Sequence, residues 1–576
     1  MLVSFGNIIV LTIWYIDETL VFRNLLEKNL EEAYIMKKMK KWMGILLAVI
    51  LSVSLLGGCA KDKATDTGNM KDDKGTAQTE TSSGERTDSG PVRVSIYVPS
   101  RLPDKIYTKD TMTFKTLAEK CNIEFDIESV FSAQATERFD VIISTGQLPD
   151  IMAGDKRNIN TYGMSGAFLS LDDLIDQYAP NIKKYLVDNK EVLAETVASD
   201  GKIYAIPMLS AVRTAMGYNI RQDWLDKLKL DAPVTVDDWY TVLKAFKSND
   251  LNGNGVGDVT PLVLDRAWEA YYMNFADAWG IELNEWNDYW MIRDGKIVFA
   301  PVQPETKEFL ATMAKWYQEG LIDPEFITRE DTNNYHILNN KAGATCYWTG
   351  YIAGQNVNTE VLAKDPDTNW QVIPPPVLKE GQSPKTYSQQ APIVNIGSWA
   401  ISSSSKNAVD IIKMFDYVYS DEGALLFNFG LEGESYEVVN GQPDYADSVK
   451  NAEGGLVNWI RGNGLQALIG MRQMPEYEAA SCANEDVKRQ LFDYVEKDYF
   501  YPINPELTLT EEEKDTYDVK MSSIKTYAQE ELLKFFIGTR PIEEFDAFAS
   551  RINELGVEEM AALKNQAYDR YKAIAE

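Results

Sequence analysis

The sequence predicts an α/β protein built around a mainly parallel sheet. Residues 92–98, VRVSIYV, alternate in polarity and are rich in β-branched side chains, which is typical of a strand. A helical pattern through Phe114, Leu117 and Ala118 follows, and residues 123–127 predict a second strand. Strands that alternate with helices favour a parallel α/β sheet, whose ligand crevices lie at the carboxyl ends of the strands.

The chain is long enough for more than one domain. From Cys59 onward it exceeds the size that favours one compact core, and two large domains fit that length. Hydrophobic residues make up 45% of the sequence and aromatic residues 11%, so substantial cores can form. Residues 59–90 are the exception, because their Thr, Ser, Asp, Lys and Gly predict a disordered tether.

Residues 36–58 have the pattern of a lipoprotein signal peptide. Lysines precede an apolar run over residues 42–56, and small residues follow at the cleavage position. Residues 56–59, LGGC, resemble the bacterial lipobox, and this resemblance implies that Cys59 carries a lipid anchor. The alternative is a transmembrane helix, because the run approaches the roughly 20 residues that span a bilayer. Both interpretations put the body of the protein outside the cell and tether it to the membrane.

Residues 1–35 contain a second apolar run in front of this signal. We interpret them as an upstream extension from a start codon assigned too early, with Met36 or Met39 as the true first residue. The alternative is a functional N-terminal helix.

The composition argues against several classes of function. A formal net charge of -30 disfavours nucleic acid as a partner, because phosphate binding requires a positive surface. The cysteines have no CxxC spacing, which argues against a disulfide framework and a zinc site. His336 is the single histidine and has no GxSxG motif beside it, so we interpret it as an ordinary surface or packed residue.

Several segments resemble bacterial extracellular solute-binding proteins of carbohydrate-uptake ABC transporters. The segments STGQLPDIM, GAFLSLDDLIDQYAPNIKKYL and DGKIYAIPM are similar to the N-terminal lobe of that family. Residues 218–262 are similar to its branch of large oligosaccharide-binding lipoproteins, and further matches lie at residues 315–326, 401–437 and 534–548. The resemblance implies a two-lobed periplasmic-binding-protein-like fold, with a hinge between the lobes and extra C-terminal helices.

The same resemblance implies that the chain crosses between the lobes more than once. We place the first crossing near residues 208–213 and the return near residues 390–397. The expected lobes are residues 91–210 plus 390–435, and residues 211–389 plus 436–576.

Residues 250–258, DLNGNGVGD, have the spacing of a calcium-binding loop. Its candidate ligands are Asp250, Asn252, Asn254, the backbone carbonyl of Val256, and Asp258. Position 12 is Pro261 instead of glutamate, and position 10, where related lipoproteins usually place a glutamate, is Val259. We therefore expect weak binding of a structural Ca²⁺ that fixes the end of a helix over residues 239–246. The alternative is a Gly/Asn turn without metal.

Aromatic residues at loops are candidates for a sugar platform, because sugars present faces of C–H bonds with polar rims. Most aromatic residues in the chain are expected in the cores. The candidates at expected crevice loops are Trp348 after a strand, Trp399 near the return crossing, and the loop-flanked Trp268 and Trp459. Two polar candidates are Arg101, just past the first strand, and Asp150, expected after the third. Asp150 has an alternative role at a helix N-terminus.

The sequence therefore predicts a monomeric, lipid-anchored receptor at the extracytoplasmic face of the membrane. It would capture an oligosaccharide by hinge closure and deliver it to the permease subunits of an ABC transporter, without enzymatic activity of its own. The alternative is a cell-surface glycoside hydrolase, because two suitably spaced carboxylates suffice for that chemistry.

Overall fold

The computed structural model describes residues 90–210, 216–266, 269–329, 332–356, 358–387, 394–467, 470–481, 485–502 and 504–576. The predicted extension, the signal peptide, Cys59 and nearly all of the tether lie outside these residues, as does Trp268. Within the described parts of the chain, no helix combines the length and the apolar character needed to cross a bilayer.

The strands form two larger sheets and two hairpins. They are β1 (Val92–Ser100), β2 (Ile123–Phe131), β3 (Ile151–Asp155), β4 (Ile206–Leu209), β5 (Met216–Arg221), β6 (Thr260–Val263), β7 (Trp290–Arg293), β8 (Lys296–Phe299), β9 (Ala342–Trp348), β10 (Trp370–Ile373), β11 (Val394–Ile401), β12 (Tyr436–Val439) and β13 (Gln442–Tyr445).

Helices separate most of these strands. They span Met112–Cys121, Ala135–Thr145, Lys156–Met164, Asp172–Tyr178, Pro180–Ile182, Lys190–Thr196, Gln222–Leu228, Val236–Lys247, Glu269–Tyr272, Pro304–Gln318, Thr332–Leu338, Thr349–Gly354, Thr359–Leu362, Ala408–Tyr419, Asp421–Phe429, Asp447–Lys450, Leu456–Gly462, Glu476–Ser481, Glu485–Glu496, Glu511–Phe536, Phe545–Glu554 and Val557–Ala575.

The first sheet has the strand order β2-β1-β3-β11-β4 and forms the centre of the first lobe. β1 pairs in parallel with β2 and β3, whereas β11 is antiparallel to both β3 and β4. The carboxyl ends of β1 to β4 therefore share one edge with the start of β11. Buried side chains such as Ile96, Ile151 and Ile401 pack in the core beside the sheet, which agrees with the predicted α/β class.

The second sheet has the order β10-β5-β9-β6 and forms the centre of the second lobe. β5 is antiparallel to β9 and β10, and β6 is parallel to β9. A large aromatic-rich core surrounds it, with Trp224, Trp239 and Trp316 among its fully buried side chains. The expected extra C-terminal helices belong to this core, since helix Glu511–Phe536 packs against helix Pro304–Gln318.

Residues 436–474 lie with the first sheet, whereas the sequence analysis assigned them to the second lobe. Tyr445 donates a hydrogen bond from its hydroxyl to the Asn428 carbonyl oxygen, at 2.6 Å. The Leu209 amide donates to the Met471 carbonyl at 2.7 Å, next to the end of β4. The side chains of β12 and β13 also pack on Phe429. Helix Glu476–Ser481 still contacts β13, so the chain returns to the second lobe only after residue 481, where helix Glu485–Glu496 contacts β10.

The segment just before helix Glu511–Phe536 links the two lobes. Leu507 is buried in the core of the second lobe, whereas the Thr508 hydroxyl donates to the Val197 carbonyl of the first lobe at 3.2 Å.

Close to Val197, the ammonium of the buried Lys156 donates to the Glu195 carbonyl. Burial raises the pKa of Glu195 to about 7, against the opposing charge of Lys156 and a hydrogen bond from the Glu506 backbone.

Replacing Glu195 with glutamine is expected to stabilise the protein at alkaline pH. Because the folded-state pKa of Glu195 is raised, the unfolded chain loses this proton between about pH 4.5 and 7 while the folded chain keeps it. The wild-type free energy of unfolding therefore falls as the pH rises through this window. At pH 8 the variant is expected to be more stable by up to about 3 kcal/mol, and at pH 4.5 the difference should be small.

Urea melts of both chains at pH 4.5 and pH 8 measure this difference. Glu191→Gln is the matched control, because Glu191 is an exposed side chain on the same helix. An equal gain for Glu195→Gln at both pH values would show that its titration is not the cause.

Candidate functional site

The chain passes from the first larger sheet to the second between β4 and β5. β4 ends at Leu209 and β5 begins at Met216, so the sheet edges at these two residues lie within about 25 Å of each other. In the second sheet Met216 pairs with Trp348, which puts the end of β9 at the same edge. We call these the crossover edges. A crevice between two lobes at the ends of strands is a common position for a ligand.

Aromatic side chains cluster at the crossover edge of the second sheet. We call Tyr271, Trp286, Tyr347, Trp348 and Tyr351 the aromatic group. The Trp348 indole donates a hydrogen bond to the Tyr271 hydroxyl at 3.2 Å. The Tyr271 ring meets those of Trp286 and Tyr347 edge to face, with centroids 5.9 and 5.7 Å apart. Trp348 is 39% exposed, so part of its indole is accessible to a ligand.

The local sequence explains why Trp348 stands at this edge. β9 has the sequence AGATCYW, and its small residues allow close packing, as where Gly343 meets the Phe246 ring. Trp348 ends the strand and directly precedes helix Thr349–Gly354. The chain turns at this residue, so its side chain escapes the core that buries the preceding part of the strand.

Two of the other predicted tryptophans do not join the aromatic group. Trp399 is 3% exposed and stacks on Phe415 in the first-lobe core, with ring centroids 5.7 Å apart. Its place in the middle of β11, between β3 and β4, explains this burial. Trp459 is half-buried and packs against the hydrophobic cluster around Phe429.

Asp150 lies at the edge of the first sheet opposite its crossover edge. It directly precedes β3 instead of following a strand, because residues 135–145 form a helix. Its carboxylate accepts hydrogen bonds from the Ser95 amide at 3.0 Å and from the hydroxyls of Ser95 and Ser405 at 2.8 and 2.6 Å. Burial alone would raise the pKa of Asp150, but these bonds lower it. Asp150 therefore joins the start of β3 to β1 and to the loop that contains Ser405.

Arg101 lies at the crossover edge of the first sheet, directly after β1. Its Nη1 donates to the Gln466 carbonyl at 2.9 Å. Burial, and next the charge of Arg461 near the end of helix Leu456–Gly462, lower the pKa of Arg101. The sequence indicated Arg101 and Trp459 as candidates but not Arg461, although Arg461 and Trp459 lie in the same NWIRGNG segment.

The aromatic group also contains four residues that sequence analysis missed. Tyr347 and Tyr351 flank the predicted Trp348, and Tyr271 follows the predicted Trp268 by three residues. Their proximity to predicted candidates was a usable signal. Trp286 had none, because it lies in a short helical turn, Glu285–Asn287, remote in sequence from the other members.

The predicted calcium loop is closed by hydrogen bonds and by one lysine. Asp258 accepts from the side-chain amides of Asn252 and Asn254 at 3.0 and 2.7 Å. The Gly255 amide donates to Asp250 at 2.9 Å. Lys341 Nζ lies 2.7 Å from Asp258, and its hydrogen bond, followed by that of Asn252, lowers the pKa of Asp258.

The donors of this loop fit a hard cation in type, because they are carboxylate, amide and carbonyl oxygens. The number of ligating side chains fits a cation less well. The described residues contain no group of three or more His, Cys, Asp or Glu side chains that could hold a metal ion, and the Lys341 ammonium would compete for Asp258.

His336 is a buried residue of the second lobe. Its Nε2 lies 2.8 Å from Asp323 and its Nδ1 lies 3.2 Å from the Thr260 hydroxyl. Burial favours a raised pKa for Asp323, but hydrogen bonds, first that of His336, lower it. His336 is 5% exposed and Asp323 3%. This Thr–His–Asp arrangement therefore packs the interior, as the packed alternative for His336 predicted.

A family model described as bacterial extracellular solute-binding protein matches residues 106–425. The chain belongs to this family. It is 26% identical over 477 residues to the fructooligosaccharide ABC transporter substrate-binding protein FusA of Streptococcus pneumoniae. This alignment covers 77% of this chain and 84% of FusA. It is 24% identical over 553 residues to lipoprotein LipO of Bacillus subtilis, covering 92% and 99% of the two chains.

Solved structures of solute-binding proteins agree with the fold. The alginate-binding protein AlgQ2, in a structure without calcium ion, is 27% identical and superposes with a TM-score of 0.67 over 84% of this chain and 99% of its own. An extracellular solute-binding protein of Bifidobacterium longum subsp. infantis is 20% identical, with a TM-score of 0.70 over 84% and 100%. The predicted two-lobed fold and the predicted family are thus confirmed.

Proposed function

We propose that this protein is a lipid-anchored receptor that captures an extracellular oligosaccharide and delivers it to an ABC permease. The observation that carries the proposal is the aromatic group, in which the Trp348 indole is 39% exposed at a crossover edge. An exposed indole suits the C–H surfaces of sugar rings. Relatives named for fructooligosaccharide and for polygalacturonan/rhamnogalacturonan binding support a carbohydrate ligand.

The proposed mechanism is closure of the two lobes around the ligand. A sugar stacked on the aromatic group would also contact the crossover edge of the first sheet, and both sets of contacts would exist only in the closed form. Binding would therefore shift the population toward closure. The closed form is the one that a permease would recognise, and the receptor itself would perform no chemistry on the sugar.

Calorimetric titration with oligosaccharides, followed by an assay for reducing ends, tests this function. Kestose, which is bound by FusA in a solved structure, and oligogalacturonides are suitable first probes. Saturable heat without new reducing ends is the expected result. Release of reducing ends at enzyme-like rates would favour the glycoside hydrolase instead, and absence of binding across neutral and acidic oligosaccharides would refute the receptor.

We further propose that Cys59 carries the anchor at the extracytoplasmic face of the membrane. The LGGC segment and the similarity to a relative named as a lipoprotein support this. Metabolic labelling with an alkyne fatty acid is expected to mark the wild-type chain but not Cys59→Ala, and the variant should appear in the medium. Equal labelling of both chains would refute an anchor at this residue.

We also propose that the loop over residues 250–258 binds Ca²⁺ weakly in a structural role. At 2 mM Ca²⁺ and a dissociation constant of about 0.5 mM, typical of extracellular sites, the gain in unfolding free energy is about 1 kcal/mol. EDTA is therefore expected to lower the melting temperature by about 1 °C, and Asp250→Asn should abolish this response. An unchanged melting curve on chelation would show that Lys341 suffices to neutralise the loop.

A further inference from the structure

Three cationic side chains meet beside the carboxyl end of β1. Arg101 follows β1 directly, Lys105 lies in the same loop, and Arg461 lies in helix Leu456–Gly462. The end of this helix packs on the loop, since a Cβ on Gly462 would lie 2.9 Å from Lys105 Cδ and 3.4 Å from its Nζ. After burial, the charge of Arg461 is the next cause that lowers the pKa of Arg101. We call these three side chains the basic group.

The backbone holds Arg101 in a fixed position. Its Nη1 donates to the carbonyl of Gln466, which is buried and has a positive φ of 49°. A non-glycine residue in this conformation is strained and persists only where its surroundings fix it. Here the Gln466 amide donates to Phe427 at 2.9 Å and its side chain donates to Asn428 at 2.7 Å. The guanidinium is therefore pre-organised.

No acidic side chain neutralises the basic group. Within the part of the chain that the structure describes, Arg101, Lys105 and Arg461 form no ion pair, and Arg101 makes the single hydrogen bond to Gln466. Burial, followed by the charge of Arg461, lowers the pKa of Arg101 to about 10. Arg101 is half-buried, and a guanidinium that is partly withdrawn from water is stabilised by a carboxylate partner. Among the described residues none pairs with it, in a protein whose formal net charge is -30.

A buried phenol lies within the electrostatic reach of the basic group. Tyr107 is 1% exposed. Burial raises the pKa of Tyr107, whereas the charge of Arg101, a hydrogen bond from the Arg101 backbone and the charge of Arg461 lower it. The site therefore combines positive charge that has no carboxylate partner among the described residues with a buried phenol, and an anionic oxygen ligand would neutralise that charge.

We propose that the basic group is a subsite for a carboxylate of the bound sugar, so that the ligand contains uronic acid. This inference depends on the proposed function and names its ligand class. The guanidinium fork matches a carboxylate with two parallel hydrogen bonds. The basic group lies at the crossover edge of the first sheet and the aromatic group at that of the second. One sugar residue would stack on the aromatic group while a carboxylate of the same chain pairs with the basic group.

Titration with matched acidic and neutral sugars tests this subsite on the full chain. The probes are trimers of galacturonate, mannuronate and a glucuronic acid-bearing xylan fragment, each with its methyl ester, and neutral kestose. At least one acid is expected to bind at least about tenfold more tightly than its ester, with a preference that weakens as salt rises. Arg461→Gln and Lys105→Gln should reduce this ratio toward one, because they should weaken binding of the acid more than binding of the ester.

Lys115→Gln is the matched control, because Lys115 is an exposed lysine of helix Met112–Cys121 in the same lobe. It should leave the ratio unchanged. If acids and esters bind equally, if kestose alone binds, or if Arg461→Gln weakens both forms equally, the carboxylate subsite is refuted and the receptor function stands. If no saccharide binds, the receptor function itself fails.

Discussion

Replacing Trp348 with alanine is expected to weaken oligosaccharide binding about 30- to 100-fold. The indole is 39% exposed at a crossover edge, so its open face is available to a sugar ring. A loss of about 2–2.8 kcal/mol, in the range of a central aromatic residue of a binding site, corresponds to this change in affinity. Because the side chain is not part of the second-lobe core, the free energy of unfolding should fall by less than about 1 kcal/mol.

Calorimetric titration with any oligosaccharide that binds the wild-type chain measures this loss. Trp348→Phe should retain much of the affinity, because phenylalanine keeps an aromatic face. Phe492→Ala is the matched control, since Phe492 is 44% exposed on helix Glu485–Glu496, which packs against β10. An unchanged affinity in Trp348→Ala would remove the aromatic group from the binding site.

Replacing Arg221 with methionine is expected to destabilise the protein by about 3–5 kcal/mol. Arg221 ends β5 and is 1% exposed. Its guanidinium donates to Asp223 at 2.7 and 2.8 Å and to Asp365 at 3.0 Å, and it lies 4.6 Å from the Trp224 ring. Its removal leaves two carboxylates buried without their main partner, which costs far more than the lost packing.

Urea denaturation of the purified chain measures this effect. The control is Arg93→Met, because Arg93 is 81% exposed and its nearest contact with Glu124 is 3.6 Å. This exposed pair should contribute less than about 1 kcal/mol. Adding Asp223→Asn and Asp365→Asn to the Arg221 variant should restore part of the stability. Equal effects at Arg93 and Arg221 would contradict the argument from burial.

Much of the fold followed from local patterns in the sequence. The alternating segment at residues 92–98 is β1, and residues 123–127 begin β2. The helix expected over residues 239–246 is Val236–Lys247, whose Thr235 and Asp238 form reciprocal capping hydrogen bonds. These elements have a clear hydrophobic period and terminal signals, so short-range physics determines them.

The third crossing between the lobes could not be placed in this way. Residues 436–474 pack on Phe429 and Asn428, and these contacts join segments that no local motif relates. The turns and short helices of this region would be compatible with either lobe. Only the tertiary contacts assign it to the first lobe.

The site residues show the same limit. Trp348 was predicted from a strand followed by a turn, and the structure leaves its side chain exposed at the strand's end. Trp399 is also in a strand but is buried, because hydrophobic alternation does not say which face of a central strand is covered. Asp150 was expected to follow a strand, but it directly precedes β3, because residues 135–145 form a helix.

Helix Val557–Ala575 contacts parts of both lobes. Asn565 on this helix exchanges two hydrogen bonds with Ile297 of β8, at 2.9 and 3.0 Å. At the other end of the helix, Lys190 donates to the Glu576 backbone oxygen at 3.1 Å. An environment-sensitive fluorophore attached near Glu576 would therefore change its surroundings when the lobes rearrange. The same residue is a poor fusion point for a bulky reporter, because cargo there would obstruct the docking of this helix on the first lobe.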